Sequence, residues 1–332
     1  MEEADRVSNV RRNILLAVTF AGLMAAVLVA VLAGRGGNPT PGAQATNGDP
    51  HAKRVVSKDV LNAVDKITLT ADKAELVAKG RELFRSNTVA KSGESCQGCH
   101  TEGAGNAAVG TTPHDPSDPT INQSFKGVRD VPTLFNVGRT DPYFWIGDTA
   151  TLNEVAIATI ENHFINGPDR PDKLNEAAAL TAYMQTITPP VTDFDRGTMS
   201  AAALRGEELF QAKAACVACH GGPDFTDNRR HDTFVPQRLG DTDPGAQKPL
   251  GNVVCPLAPL PKAPDPNRPL ECTFNTPTLR GIGLAGTGPY MHNGIFPTLE
   301  AVVSFYNSQS SVAPLRLTTD EQADLVAYLK AL

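Results

Sequence analysis

Four of the six cysteines in this 332-residue chain fall into two copies of one pattern, Cys96-Gln97-Gly98-Cys99-His100 and Cys216-Val217-Ala218-Cys219-His220. Two thiols at this spacing can bond both vinyl groups of one porphyrin. The histidine that follows then lies under the ring, where it binds iron as the proximal ligand. The pattern therefore calls for two covalently bound haem c groups, held by His100 and His220. A structural zinc site is the competing chemistry. It needs four Cys or His ligands closing on one metal, and nothing near either pentad completes such a set. The sixth position of each iron then decides its role: open for a haem that reacts with peroxide, closed by a side chain for one that only transfers electrons.

The surroundings of the pentads repeat as well. Gly80-Arg81-Glu82-Leu83-Phe84 precedes the first and Gly206-Glu207-Glu208-Leu209-Phe210 the second, each with Leu and Phe on the apolar side of a short helix. Pro-Thr-Leu follows in both halves (Pro132–Leu134, Pro277–Leu279). Next come a Pro-Tyr-x-x-x-Gly turn (Pro142–Gly147, Pro289–Gly294) and a Thr-Leu helix start at Thr151 and Thr298. Each half closes on a helix, Lys173–Ile187 and Thr319–Leu332, the latter with Thr319 as a plausible N-cap. The expected fold is mainly α: two tandem cytochrome c-like domains with long loops, residues 70–190 and 195–332, preceded by one N-terminal transmembrane helix.

That helix is Ile14–Ala33, which carries no charged residue and would span about 30 Å. Arg11 and Arg12 before it place residues 1–13 in the cytoplasm and export the rest. A cleaved signal peptide is the rival reading, with Val31 and Ala33 near a cleavage site. Either way the haem domains lie outside the bacterial inner membrane, in the periplasm, where disulfides survive. Residues 34–69 read as a tether that begins with a Gly/Pro-rich stretch. Cys255 and Cys272 bracket a Pro-rich loop, and a disulfide closing it is the expectation. The formal charge of −6 argues against a nucleic-acid partner.

Over residues 75–332 the chain resembles the bacterial di-haem cytochrome c peroxidase family, including its MauG branch. Carrying the resemblance are the pentads, the PTLFNV and PYFWIGDTATL stretches of the first half, and TPTLRGIGLAGTGPYMHNGIFPTLEAVVSFYN in the second, with Phe225-Thr226-Asp227 and His231 after the second pentad. It implies a peroxidatic haem in the first domain and an electron-transfer haem in the second. It also implies hydrogen peroxide as substrate and a small cytochrome c or cupredoxin as donor. Tyr306 matches the sixth ligand of the second haem, a Met in the peroxidases and a Tyr in MauG; Met291 is the rival, and a packed aromatic the bland reading. Trp145, the only tryptophan, matches the tryptophan between the haems; a large core residue is the alternative. Asp130, Thr287 and Pro289 match the positions that bind calcium between the domains. His114 lies where the peroxidases hold a displaceable distal histidine.

The match is poorest over the first haem. The family's distal Gln and Glu, counted without gaps from Trp145, fall on Val155 and Ile165, and neither can move a proton. Glu161 and His163, on the same expected helix, are the nearest substitutes. Three functions follow from these residues: a peroxidase, a MauG-like oxidant of a partner, or a two-haem electron relay without peroxidase activity.

Overall fold

The computed structural model describes residues 56–100 apart from 92 and 94, then 112–113, 128–236, 272–284, 287–309 and 314–332. In chain order the helices are α1 (Lys58–Thr70), α2 (Lys73–Arg85), the single turn α3 (Cys96–Cys99), α4 (Leu152–His163), α5 (Lys173–Met184), the single turn α6 (Asp193–Arg196), α7 (Ala201–Gln211), α8 (Leu299–Gln309) and α9 (Thr319–Ala331). Among the described residues, strand is limited to two short antiparallel pairs. These are β1 (Thr112–Pro113) with β2 (Val128–Arg129), and β3 (Arg230–His231) with β4 (Phe274–Asn275).

Each half is built on one helix crossing that glycine makes possible. A Cβ on Gly80 of α2 would lie 2.0 Å from the Ala179 carbonyl oxygen of α5 and 2.7 Å from the Tyr183 Cβ. On Gly206 of α7 it would lie 2.0 Å from the Asp324 carbonyl oxygen of α9 and 2.8 Å from the Tyr328 Cβ. The phenylalanine four residues after each glycine then meets the tyrosine edge-on, Phe84 on Tyr183 and Phe210 on Tyr328, with centroids 5.2 Å apart in both. The Pro-Tyr turns also match: Tyr143 N–H donates to the Thr149 carbonyl and Tyr290 N–H to that of Phe296, each at 2.8 Å. Around these crossings lie two apolar cores. One is built on Leu83, Phe84, Ile157, Ile160 and Leu180, the other on Phe210, Phe225, Leu299, Val303 and Leu325.

Three boundaries differ from those read in the sequence. Residues 58–69, expected to be tether, lie in α1, which buries Val64 completely and packs Val60 and Ile67 against the first core. Those three residues share one helical face. The N-cap of α9 is Thr318 and not Thr319: its Oγ1 accepts from Glu321 N–H at 3.2 Å while Glu321 Oε2 accepts from Thr318 N–H at 2.7 Å. Helix α5 stops at Met184 and not Ile187, whose carbonyl accepts from Asn136 N–H at 2.9 Å.

Cys272 is buried and disulfide-bonded, and none of the four pentad cysteines forms a disulfide. Cys255, the expected anchor Ile14–Ala33 and the tether up to residue 55 lie outside the described residues. Among the described residues, no helix is long and apolar enough to cross a membrane.

Candidate haem centres and the link between them

Both pentads are wound into a single helical turn. The His100 N–H donates to the Cys96 carbonyl at 2.7 Å and the His220 N–H to that of Cys216 at 2.8 Å. Ser95 starts the first turn by accepting from Gly98 N–H at 3.2 Å. Burial pushes the Cys96 thiol up to about 11 and the Cys216 thiol to about 12. Both histidines are kept neutral. Burial lowers the His100 ring to about 4, with the nearby His163 acting in the same direction. It lowers His220 too, against opposing pulls led by the Phe225 carbonyl.

His220 Nδ1 lies 2.9 Å from that carbonyl. A carbonyl only accepts, so Nδ1 carries the proton and Nε2 presents its lone pair, the tautomer an iron ligand needs. His100 Nδ1 is buried without a hydrogen bond. The Pro132 carbonyl acts on that ring without reaching hydrogen-bond geometry at Nδ1, and the Pro277 carbonyl acts likewise on His220. Here the repeated Pro-Thr-Leu motif acquires a purpose. Two thiols and one neutral imidazole at each site fit haem c, and at the second site a hydrogen bond also orients the ring.

At the second site α8 delivers Tyr306. Burial raises its hydroxyl well above the usual phenol range, and Cys216, Thr233 and Cys219 are the groups acting on it. Met291 sits in the Pro289–Gly294 turn, whose His292 carbonyl accepts from Asp130 N–H at 2.8 Å.

Trp145 joins the two halves. Its indole Nε1 donates to the Asp130 carbonyl at 2.7 Å, and its own carbonyl accepts from Asn275 N–H at 2.7 Å. Asp130 is 4% exposed and turns Oδ1 to Val131 N–H at 3.0 Å. The Thr287 hydroxyl lies 2.7 Å from the Ile282 carbonyl and 2.8 Å from that of Leu284.

On α4, Glu161 pairs with Lys173 at 2.6 Å, both side chains largely buried. His163 stands exposed at the helix end. Val155 packs against the first core, and Ile165 is 46% exposed. His114 lies outside the described residues.

Known proteins are similar in sequence and fold. A family model described as di-haem cytochrome c peroxidase matches residues 74–189. Cytochrome-c peroxidase IdrP1 of Denitromonas iodatirespirans is 30% identical over 334 residues, covering 80% of this chain and 82% of that protein. The chain belongs to the di-haem cytochrome c peroxidase family. The methylamine utilization protein MauG of Methylophilus methylotrophus is 26% identical, over 85% of this chain and 89% of that protein. A crystal structure of a MauG-like protein associated with microbial copper homeostasis shares the fold, with a TM-score of 0.59 and 21% identity over 78% of this chain and 88% of that one.

As a member of that family the chain is a di-haem peroxidase-like oxidoreductase, and haem c is its cofactor. One cluster beside the second haem site was not legible as such in the sequence. Cys219, Asp227 and His231 bring their ligand atoms within 4.8 Å of one another, with His231 Nε2 2.7 Å from Asp227 Oδ2. The Cys219 sulfur first, and then Asp227, pull the imidazole up to about 9 against burial. Cys219 belongs to the second pentad, so the Asp227–His231 pair lies against that end of it. The Phe225–His231 stretch was the only signal, and it gave no distances.

Proposed function

We propose that this oxidoreductase reduces hydrogen peroxide to water, drawing electrons one at a time from a small cytochrome c or cupredoxin outside the cytoplasm. The reaction consumes two electrons and two protons per peroxide and forms two waters. Bound haem c supplies the redox iron at both sites. The observation that carries this reading is the asymmetry of the two sites about Trp145. The second has a tyrosine hydroxyl among its pentad cysteines. At the first, among the described residues, His163 is the titratable side chain that acts on His100.

In this reading the residues divide the work. Val217, 43% exposed within the second pentad, marks the surface where electrons enter. Tyr306 would supply a phenol ligand to the iron held at the second site, and Trp145 would lie on the electron path toward the first. His163, exposed at the end of α4, would move the protons that peroxide cleavage demands. Glu161 is already committed to Lys173 and serves the helix instead. Asp130 with the Thr287 and Pro289 carbonyls would hold a calcium ion, a hard cation suited to oxygen donors. Cys272 pairs with Cys255, and Ile14–Ala33 tethers the periplasmic domains to the inner membrane.

Oxidation of a partner protein is the second reading, supported by the placement of Tyr306. EPR and visible spectra of the haem-loaded protein, oxidised and half-reduced, followed by peroxide addition, separate the readings. A high-spin haem consumed by peroxide, with turnover on reduced cytochrome c, is the expected result. Peroxide reactivity without cytochrome turnover selects partner oxidation. Two low-spin haems inert to peroxide would leave an electron relay and overturn both.

A further inference from the structure

The turn that carries Trp145 is held by the other half of the molecule as well as by its own. Residues 142–149 close on themselves through Tyr143 N–H to the Thr149 carbonyl at 2.8 Å and Gly147 N–H to that of Phe144 at 3.1 Å. Three further carbonyls of this turn accept hydrogen bonds from two residues after the second pentad. Asn275 donates its backbone N–H to Trp145 and its side-chain Nδ2 to Pro142, each at 2.7 Å. The Arg230 guanidinium donates to Gly147. Arg230 and Asn275 are register partners in the β3–β4 pair, so one small sheet presents all three donors at once. Gly147 lets them approach: it has a φ of +56°, and a Cβ there would lie 3.1 Å from Arg230 Nε. With the indole bonded to Asp130 and Asp130 bonded to His292, Trp145 is fixed from both ends.

We propose that Arg230 and Asn275 are positioning residues for electron transfer between the haems, locking the Trp145 turn to the second haem domain. The proposal rests on the reading of Trp145 as the bridge. A charge relayed through one indole depends steeply on how that ring is placed relative to both donors and acceptors. A clamp anchored on the second domain keeps that placement constant as the first domain binds substrate. Neither residue touches a haem-attachment cysteine or histidine by any bond described above, so the spectra of the haems are not expected to follow the clamp.

The test uses the full haem-loaded chain. Inter-haem electron transfer is timed after flash photoreduction in wild type, Trp145→Phe, Arg230→Ala, Arg230→Lys, Asn275→Asp, and Arg230→Ala combined with Trp145→Phe. Arg230→Ala and Asn275→Asp should each slow transfer about tenfold with haem content and static spectra unchanged. Amide exchange should rise at Tyr143 and Gly147, a readout independent of the haems. Arg230→Lys, which keeps a donor for the Gly147 carbonyl, should recover most of the rate. In the double variant Arg230→Ala should add nothing to Trp145→Phe, because the clamp acts through the indole. If Trp145→Phe slows transfer while both clamp variants match wild type, the clamp is wrong and the bridge stands. If Trp145→Phe leaves the rate untouched, the bridge reading fails and the clamp falls with it.

Discussion

A histidine becomes an iron ligand only when its other nitrogen is accounted for, and the two halves meet that requirement unequally. His220 has its Nδ1 proton directed at the Phe225 carbonyl, whereas His100 Nδ1 is buried with no hydrogen bond. In the proposed function Tyr306 makes the larger difference. A phenolate on ferric iron lowers the potential. Tyr306→Phe should therefore raise the potential of the second haem by on the order of 100 mV, a modest part of the ~0.8 V that axial ligands command. The oxidised spectrum should turn high-spin at that haem alone. Spectroelectrochemistry checks both, and an unchanged potential would reduce Tyr306 to a packed aromatic. On α4 the side chains also divide. Glu161→Gln removes the charge that holds Lys173 and should cost about 1.5–3 kcal/mol with little change in peroxide reactivity. His163→Ala should leave the melting temperature nearly unchanged and slow the reaction with peroxide about a hundredfold, the lower end of general acid–base catalysis. Stopped-flow mixing of the half-reduced variants distinguishes the two. Equal rates in His163→Ala and wild type would remove that residue from the proton path.

At the level of elements the duplication is a packing device. Gly80 and Gly206 each let one helix cross another close enough for an aromatic pair to form at 5.2 Å. A methyl group at either position would point into a backbone oxygen 2.0 Å away, which no side-chain movement relieves. Gly80→Ala and Gly206→Ala are each expected to cost about 3 kcal/mol, at the upper end of overpacking. Denaturant titration of the haem-loaded variants reads this directly, and a loss under about 0.5 kcal/mol, the scatter of neutral surface changes, would refute the close crossing. Much of this level was legible in advance. The repeated Gly…Leu-Phe and closing Ala-Tyr segments already marked equivalent helices, because local periodicity is written in consecutive residues. Helix α1 was not. It follows a Gly/Pro-rich stretch, and its face of Val60, Val64 and Ile67 gains meaning only from the core it covers. The partnership of Arg230 and Asn275 was equally hidden, since two residues 45 positions apart become neighbours only through the β3–β4 register.

Across the whole molecule, the segment joining the halves is tied into the second rather than left loose. Asp195 of α6 accepts from Thr192 N–H at 2.9 Å and pairs with Arg280, three residues after Pro277, whose carbonyl faces His220. The guanidinium also lies 5.5 Å from the Phe194 ring centroid. Burial alone would raise the Asp195 carboxyl, but the hydrogen bonds from Thr192 and Arg280 outweigh it and hold the group below the usual carboxylate range. The sign of the linkage follows. A carboxyl whose folded value lies below its unfolded value of about 3.9 stabilises the fold fully above that pH, and this contribution vanishes as pH falls through the folded value. Asp195→Asn should therefore lower stability at pH 7 by about 1–2 kcal/mol, less than a fully buried charged hydrogen bond because the pair is partly exposed. Between pH 4 and pH 2 the gap from wild type should shrink toward zero, since protonated Asp195 has lost the same attraction. Unfolding of the haem-loaded protein in urea across that range measures the gap. A difference that stays constant down to pH 2 would mean that Asp195 acts by shape and not by charge, and that the joining segment is not tied to the second half by this ion pair.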